Sequence, residues 1–304
     1  MAIIACTADW HLCAGMDEDI TASVSQMVPT FKDKNVDLIA IPGDLFDRKS
    51  TPEGRNILRA LIISLADVAP VVICRGNHDQ EGDLNIFGHL KTKHPINIYE
   101  YSAIVRIKDC VLHILSWFTK STWQAANIGV SKEAGDYTVS QLALQYLRNA
   151  VMVEREKNPN AKHILVSHLL INGALAESHQ PLIGEGVTFG RYDLAECGFT
   201  AGIFGHIHLR QTFGDSGLFF YPGSPAALNY GEHPEKYCVI LDTSDGSLEW
   251  HQLKTIDRFS LDLDSQTKWT TIVENQPRIC GARVRALLKI EEGANVAEAK
   301  AEVE

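Results

Sequence analysis

Arg75-Gly76-Asn77-His78-Asp79 is the stretch on which the architecture turns, because four further clusters of the same character accompany it in order. They are Asp9-Trp10-His11, Gly43-Asp44-Leu45-Phe46-Asp47, Ser167-His168 and Gly205-His206-Ile207-His208. Each of the five follows a short apolar, β-like run: Ile3-Ile4-Ala5-Cys6, Leu38-Ile39-Ala40-Ile41, Val71-Val72-Ile73, Ile164-Leu165-Val166 and Gly202-Ile203-Phe204. Strand ends that deliver Asp, His and Asn side chains to one rim build a polynuclear metal site, and such a site points to phosphate-ester chemistry. One such cluster would be weak evidence. Five in register are a strong signal.

The segments between the clusters alternate strand and helix signals over the first two-thirds of the chain. Ile3 to Thr7 and Asp37 to Ile41 read as strands, with a helix over Glu18 to Lys34 between them. Ser50-Thr51-Pro52-Glu53 supplies a capping-box-like start with proline in the first turn, and the helix it opens runs to about Asp67. Val71 to Cys74 is the third strand, followed by a short helix near Leu84 to Leu90 and a β-rich middle over Ile96 to Ile107 and Val111 to Trp117. A long helix is expected from about Ser140 to Lys157. After Gly205 the pattern becomes hairpins, with Asp215-Ser216-Gly217 and Asp245-Gly246 as turns. This order predicts an α/β sandwich of mixed sheets. Near Lys254 to Arg258 the sheet signals stop. A second unit then opens with Phe259 to Leu263, continues with strand-like Ala282 to Ile290 and starts an Ala-rich helix at about Asn295, which divides the chain into residues 1–256 and 257–304.

A chain of 304 residues, 45% of them hydrophobic, is long enough for one large α/β domain and a smaller unit. No basic region precedes Ile3-Ile4 and Asp9 interrupts that run, which argues against a signal peptide. The most apolar stretch, Leu58 to Ile73, is broken by Asp67 and Pro70 and cannot span a membrane, so no membrane partner is expected. Seven cysteines without CxxC spacing fit reduced thiols in a cytosolic protein, with Cys6, Cys13 and Cys74 as small buried hydrophobes beside the clusters. The net charge of −10 argues against indiscriminate nucleic-acid binding over the whole surface. It leaves DNA open as a substrate, because two bound divalent cations would reverse the local field.

Two cations ~3.5–4 Å apart need a bridging carboxylate and about three further ligands each. Asp44, just after Gly43 on a tight turn, is the best candidate for the bridge. Asp9 with His11, and His206 with His208, are expected to share a side of extended chain, where alternate residues face one way. Asn77 offers a neutral oxygen, unusual as a metal ligand and informative for that reason. Mixed carboxylate and imidazole donors suit manganese or iron better than magnesium alone. An imidazole at His78, beside a ligand and turned to substrate, can protonate a leaving group, and Asp47 can hold that ring in one orientation. Each reading has a bland competitor. Most histidines are structural, and His89, His94, His113, His163, His179, His233 and His251 are assigned so among the twelve in the chain. Asp47 also reads as a plain helix-entry residue, Arg48 as a surface ion-pair partner, and Gly223-Ser224 as a turn under the site. Leu58, Leu61, Ile62 and Leu65 fall at helical spacing with Ile57 and Ile63 on a second flank, which fits core packing or a second buried face.

Together, Asp9-x-His11, Gly43-Asp44-x-x-Asp47, Gly76-Asn77-His78-Asp79, Ser167-His168 and Gly205-His206-x-His208 resemble the calcineurin-like metallophosphoesterase superfamily. Within it, Asp9-Trp10-His11-Leu12 and Tyr221-Pro222-Gly223-Ser224-Pro225 are similar to the SbcD-type DNA-repair exonuclease subunits of bacteria, over roughly Met1 to Thr255. The resemblance implies a four-layer α/β/β/α sandwich with two mixed sheets, followed by a small, partial α/β capping domain that binds DNA. It implies two divalent metal ions, manganese first with magnesium or iron as alternatives. Asp9, His11, Asp44 and His208 would hold one, and Asp44, Asn77, His168 and His206 the other. His78 would be catalytic with Asp47 as its partner, and Arg48 and Ser224 would touch substrate.

The activity implied is two-metal hydrolysis of phosphodiester bonds at DNA ends and hairpins, exonucleolytic with some endonuclease action. The partners implied are DNA, an SbcC-like SMC-type ATPase docked on a C-terminal segment absent here, and a second copy of the chain meeting it through the helix from Pro52 to Asp67. The helix near Asn295 reaches Glu304 without a Gly or Pro terminator, so the 304 residues are expected to be part of a longer natural chain. The setting implied is cytoplasmic, at the nucleoid of a bacterium or in the host cytoplasm for a phage protein. A small-nucleotide phosphodiesterase or phosphatase of the same superfamily is the alternative, mildly favoured by the acidic charge. A binding module on a dead scaffold is disfavoured by the intact ligand set.

Overall fold

The computed structural model describes residues 1–126, 135–176, 187–264 and 268–289. The first half runs β1 (Ile3–Cys6), α1 (Asp17–Asp33), β2 (Leu38–Pro42), α2 (Pro52–Ala66), β3 (Val71–Cys74), a 3-10 turn (Asn85–His89), β4 (Ile96–Tyr99), β5 (Ala103–Ile107) and β6 (Cys110–Leu115). Next come α3 (Lys120–Ala126), α4 (Asp136–Lys157), β7 (Lys162–His168), the short strands β8 (Leu170–Ile171) and β9 (Thr188–Phe189), α5 (Asp193–Glu196) and β10 (Ala201–Gly205). Then follow β11 (Gln211–Phe213), β12 (Phe219–Tyr221), β13 (Lys236–Asp242), β14 (Ser247–Leu253), β15 (Arg258–Asp264), α6 (Lys268–Ile279) and β16 (Arg283–Lys289).

Two six-stranded mixed sheets, in the orders β14-β13-β1-β2-β3-β4 and β11-β12-β10-β7-β6-β5, face each other. Their strands are apolar on both sides because both sides are covered. Along β1, Ile4 and Cys6 join the layer between the sheets, with Leu112, Ile164 and Ile203 of the opposite sheet, whereas Ala5 faces the helices. Ile20, Val24, Met27 and Phe31 of α1 and Leu58, Ile62 and Leu65 of α2 cover that outer face. Val139, Ala143, Leu147 and Val151 of α4 cover the other sheet together with Leu165 and Phe204. The result is the expected α/β/β/α layering.

β1, β2 and β3 are mutually parallel, and so are β6, β7 and β10. Parallel strands end at the same edge, and ligands gather outside those carboxyl ends. Three ends from one sheet and two from the other therefore meet at one rim. The hairpin turns at 215–217 and 245–246 connect antiparallel pairs, β11 with β12 and β13 with β14.

Several local expectations shift. The α2 cap is Thr51, whose hydroxyl accepts from the Gly54 amide with Pro52 in the first turn, so the glutamate of the motif falls one place short of a capping box. α4 begins at Asp136 rather than near Ser140. Leu61 and Ile62 are 5% and 0% exposed against the chain's own core, so the apolar character of α2 is met by core packing.

From Arg258 onward β15 and β16 pair in parallel, with α6 as the crossover helix and a small apolar cluster of Phe259, Leu261, Leu263, Val284 and Leu288. Arg258 pairs with buried Asp19 of α1, and Arg283 reaches Glu18 at 3.2 Å, which ties this unit to the first sheet's helices. Sequence reading missed α6, whose Thr270-Thr271-Ile272-Val273 run and Pro277 have poor helix propensity. The helix expected from about Asn295 lies outside the described residues, as does Ile290 at the end of the last strand.

Candidate metal centre

The turns that leave the strands are strained where the clusters sit. Asp9 (φ 55°), His11 (φ 48°), Asp44 (φ 54°) and His206 (φ 102°) adopt left-handed backbone that non-glycine residues seldom take. Asp9 and His11 thus share a side through left-handed turns, not through the extended alternation expected of them. The loops after β1 and β2 hold each other in this shape: the amides of Asp9, His11 and Leu12 donate to the carbonyls of Gly43, Asp44 and Leu45 at 2.9–3.1 Å. At Gly43 (φ 86°) a Cβ would lie 2.7 Å from the Gly76 backbone and from His168 Nδ1, so only glycine fits.

Asp79, to which sequence reading gave no role, is the clamp of the rim. Its buried carboxylate accepts from four amides: Asp44 and Gly76 on Oδ2 at 2.8 and 3.0 Å, and Leu45 and Phe46 on Oδ1 at 2.9 and 3.0 Å. The Asp44 turn is therefore set by a neighbour of the Asn77-His78 pair.

Every nominated ligand comes to this rim. Asp44 Oδ2 lies 3.5 Å from His11 Nε2 and 3.3 Å from His168 Nε2, the position a bridge requires. Asn77 Oδ1 lies 2.8 Å from His168 Nε2 and 3.0 Å from His206 Nδ1. His208 Nε2 and His11 Nε2 stand 3.1 Å apart. His168 donates Nδ1–H to the Pro42 carbonyl at 2.8 Å, which turns Nε2 to Asn77 and Asp44. The His206 amide donates to Asp9 Oδ1 at 2.8 Å, joining the two sheets across the site. Three sets of donor atoms gather within 4.8 Å: Asp9-His11-His208, His11-Asp44-His78 and Asp9-Asp44-His168.

The electrostatics follow from this crowding. Burial pushes the Asp9 carboxyl up to about 6, against the pull of His168 and His208. Burial and the nearby His208 take His11 down to about 4, and burial with His168 takes His206 down to about 3. Burial also opposes charge on His168, yet Asp44 raises it to about 9, and the same pairing holds Asp44 well below the usual carboxylate range despite burial. Burial and the charge of Asp44 lift Asp79 to about 7. Asp9 Oδ2 is buried with no hydrogen-bond partner. A buried orphan carboxylate oxygen, neutral imidazoles and a shared Asp44 oxygen are the donor forms that a pair of divalent cations needs, so the residues fit two metals.

Around the donors, two expectations are revised. His78 is held as foreseen by Asp47, but through the main chain: its Nδ1–H donates to the Asp47 carbonyl at 2.6 Å. The Asp47 carboxylate instead faces His11 Nδ1 at 3.5 Å and accepts from Arg48 at 2.8 Å. Arg48 is open to solvent, with 79% of its side chain exposed. Ser224 is fully buried, accepting from Lys236 Nζ at 3.1 Å and donating to the Ala226 carbonyl at 2.9 Å, so it supports the site from beneath and does not face substrate. Lys236 also bonds Glu232 at 3.1 Å, whose Oε1 lies 3.8 Å from His208 Nδ1. Burial opposes the charge on both, but the Glu232–His208 contact raises His208 and helps hold Glu232 down at about 2. Trp117, also unforeseen, stacks on His206 with ring centroids 5.0 Å apart.

Outside the rim, His113 and His163 form a buried pair at 3.0 Å and are structural, as expected; His179 lies outside the described residues. All seven cysteines are free thiols. Among the described residues no helix is long and apolar enough to cross a membrane.

A double mixed sheet with imidazole and carboxylate donors at one rim defines a metal-dependent phosphoesterase. The chain belongs to the calcineurin-like phosphoesterase family, whose model matches residues 3–210. It is 24% identical over 265 residues to SbcD, the nuclease subunit of SbcCD from Escherichia coli, covering 80% of this chain, and the same protein from a second strain matches equally. The chain spans about 65% of the length of these curated relatives. Among solved structures it is similar in fold to a dimetal phosphatase from Danio rerio, with a TM-score of 0.50 and 12% identity over 84% of this chain and 97% of that one.

Proposed function

We propose that the chain is a two-metal-dependent DNA nuclease, an exonuclease with endonuclease activity, that acts at DNA ends as the catalytic subunit of an SbcCD-like complex. The observation that carries this reading is the similarity to SbcD of the SbcCD nuclease, which runs through the whole donor set. Asp9, His11, Asp44 and His208 would hold one cation and Asp44, Asn77, His168 and His206 the other. Manganese suits these mixed donors best, with magnesium or iron as alternatives. When bound, the pair supplies an activated water and neutralises charge on the phosphoryl group.

The chain's own residues do the rest. His78, with 41% of its side chain exposed, is the open imidazole of the cluster. With Nδ1 fixed on the Asp47 carbonyl, its protonated ring presents Nε2–H to the leaving oxygen, and the proton passes there as the P–O bond breaks. Asp47 carries a second task, orienting His11 with its carboxylate. Arg48 stands free at the edge to meet a phosphate of the DNA backbone.

In this reading residues 1–256 form the nuclease domain, and residues 257–304 begin the DNA-capping unit. The partners are DNA ends and hairpins and an SbcC-like SMC-type ATPase. A second copy of the chain would meet the exposed side of α2, where Arg55, Arg59 and 50%-exposed Ile86 line a shallow depression. The setting is cytoplasmic. The alternative, a phosphodiesterase or phosphatase for small nucleotides, draws support from the net charge of −10. Incubation with Mn²⁺ and linear duplex DNA, and separately with small phosphodiesters, decides between them. Cleavage of DNA is expected; turnover confined to the small esters would establish the alternative.

A further inference from the structure

Beside the metal centre lies a cavity of about 580 Å³ that none of the roles above uses. Aromatic residues dominate its lining: Trp117, Phe118, Trp123, Tyr101 and Tyr146. Phe118 and Trp123 pack at 4.9 Å between centroids, and Trp123 meets Tyr146 edge-on at 6.0 Å. The cavity is continuous with the rim through two residues. Trp117 lines it while stacking on His206, and Arg75 lines it while immediately preceding Gly76-Asn77. The Trp117 amide donates to the Arg75 carbonyl at 2.9 Å, which locks the two together.

The cavity also has one polar edge. Arg75 Nε and Glu100 Oε2 approach to 3.2 Å with their side chains 17% and 10% exposed, yet neither atom is aligned for a hydrogen bond. Glu100 is anchored from the other oxygen by the Gly82 amide at 3.1 Å, and Arg75 by the Trp117 carbonyl at 3.1 Å. A buried cation and a buried carboxylate, each held in place with one atom unsatisfied, can be met by a ligand edge that carries both an acceptor and a donor. Flat π-surface on the walls and such an edge at one side are complementary to a nucleobase, which stacks on aromatic platforms and carries both kinds of group. The volume falls in the range of pockets that enclose small organic ligands.

We propose that this cavity is a nucleobase subsite, holding the base next to the phosphate being cleaved. The proposal rests on the phosphodiester reading above and gives that site a grip on the substrate's base, where the metals grip only its phosphate.

The test is calorimetric titration of the Mn²⁺-loaded protein with two hydrolysis-resistant probes, thymidine 5′-phosphorothioate and 2-deoxyribose 5-phosphorothioate, which differ by the base alone. Stacking of one base on an aromatic platform predicts that the nucleotide binds about tenfold or more tightly than the sugar. Ala125→Trp, at an exposed position of α3 on the cavity wall, should fill the space and bring the two affinities together while leaving that of the sugar within about twofold. Tyr101→Ala, at a residue 68% exposed, removes part of the wall without touching the core and should narrow the preference several-fold. Equal binding of both probes by the wild type, or a base preference unchanged in Ala125→Trp, overturns the subsite. Base preference together with failure to cleave DNA would keep the subsite and sink the nuclease reading, so the two fail separately.

Discussion

Tyr221→Phe removes a single oxygen from the core beneath the site, and its effect can be worked from the structure. Tyr221 is fully buried, and its hydroxyl donates to the Leu169 carbonyl at 2.8 Å while accepting from the Ile171 amide at 3.0 Å. It thereby pins the chain just after His168, where β7 gives way to the short strand β8. Phenylalanine keeps the ring and its packing against Phe204 and Phe213, so almost no cavity forms. The loss is one buried amide left unpaired, at ~1–3 kcal/mol, and a carbonyl with one bond fewer, so the variant should be less stable by about 2–3 kcal/mol. With an unfolding entropy of ~2.1 cal/mol/K per residue, a chain this long loses roughly 1.6 °C of Tm per kcal/mol, which gives a drop of about 4 °C. Differential scanning calorimetry in a chelating buffer measures this without a contribution from metal. Because His168 keeps its bond to Pro42, metal stoichiometry should be unchanged. A Tm within about 1 °C of wild type, or loss of a metal, would refute the reasoning.

Asp44→Ala should lower metal content at both positions and cut turnover by more than the ~10–100-fold typical of losing a merely supporting residue; elemental analysis that still finds two metals with normal turnover removes Asp44 from the bridge. His78→Gln should cost ~10²–10⁴ in kcat with both metals retained; a variant empty of metal would make His78 a ligand. Leu61→Asp buries a charge at a position 5% exposed and should fail to fold, whereas Ile86→Asp should give a folded monomer; light scattering that finds the wild type monomeric at micromolar concentration removes the dimer. Burial and the neighbouring His163 hold His113 at about 4, below its ordinary 6.5. The unfolded chain therefore takes up that proton first, and stability is lost as pH falls from 6.5 toward 4, by ~1–2 kcal/mol at pH 5. His113→Phe, packing on Phe199 as the imidazole does, should flatten this acid-side loss of Tm; an identical pH profile would show that His113 carries none of it.

The donor set was legible because each member is announced locally. An apolar run, a turn residue and a ligand-type side chain fit within a few positions, and parallel strands then carry their ends to one edge whatever the loops between them do. The supporting contacts were not legible, because they depend on distances that no local pattern encodes. Asp79 stands beside His78 in sequence, but its four amide partners lie mostly on the turn after β2. Glu232 and Lys236 sit well past the last motif and reach His208 only because β13 pairs beside β1. Ser224 belongs to a recognisable motif, yet its burial turns a substrate contact into a prop. On α2 the periodic apolar stripe was visible, and only the packed structure shows that Leu61 and Ile62 are used up inside the core.

The same residues carry the strain and the electrostatic conflict. Four of the six non-glycine residues with positive φ among the described ones are Asp9, His11, Asp44 and His206, and each is also a nominated donor. Backbone of this kind costs on the order of 1–3 kcal/mol per residue and persists only where surrounding bonds over-determine it. The loops after β1 and β2 meet that condition, bonded to each other and to Asp79. Two of the same residues, His11 and His206, are kept uncharged near neutral pH by burial and by the other imidazoles, while Asp44 stays ionised through its pairing with His168. A scaffold that forces unfavourable backbone in order to bring neutral imidazoles and buried carboxylate oxygen within 4.8 Å of one another gains nothing from the arrangement on its own. Coordination of divalent cations at a preorganised rim supplies the compensating free energy, and in doing so displaces the proton that His168 otherwise holds.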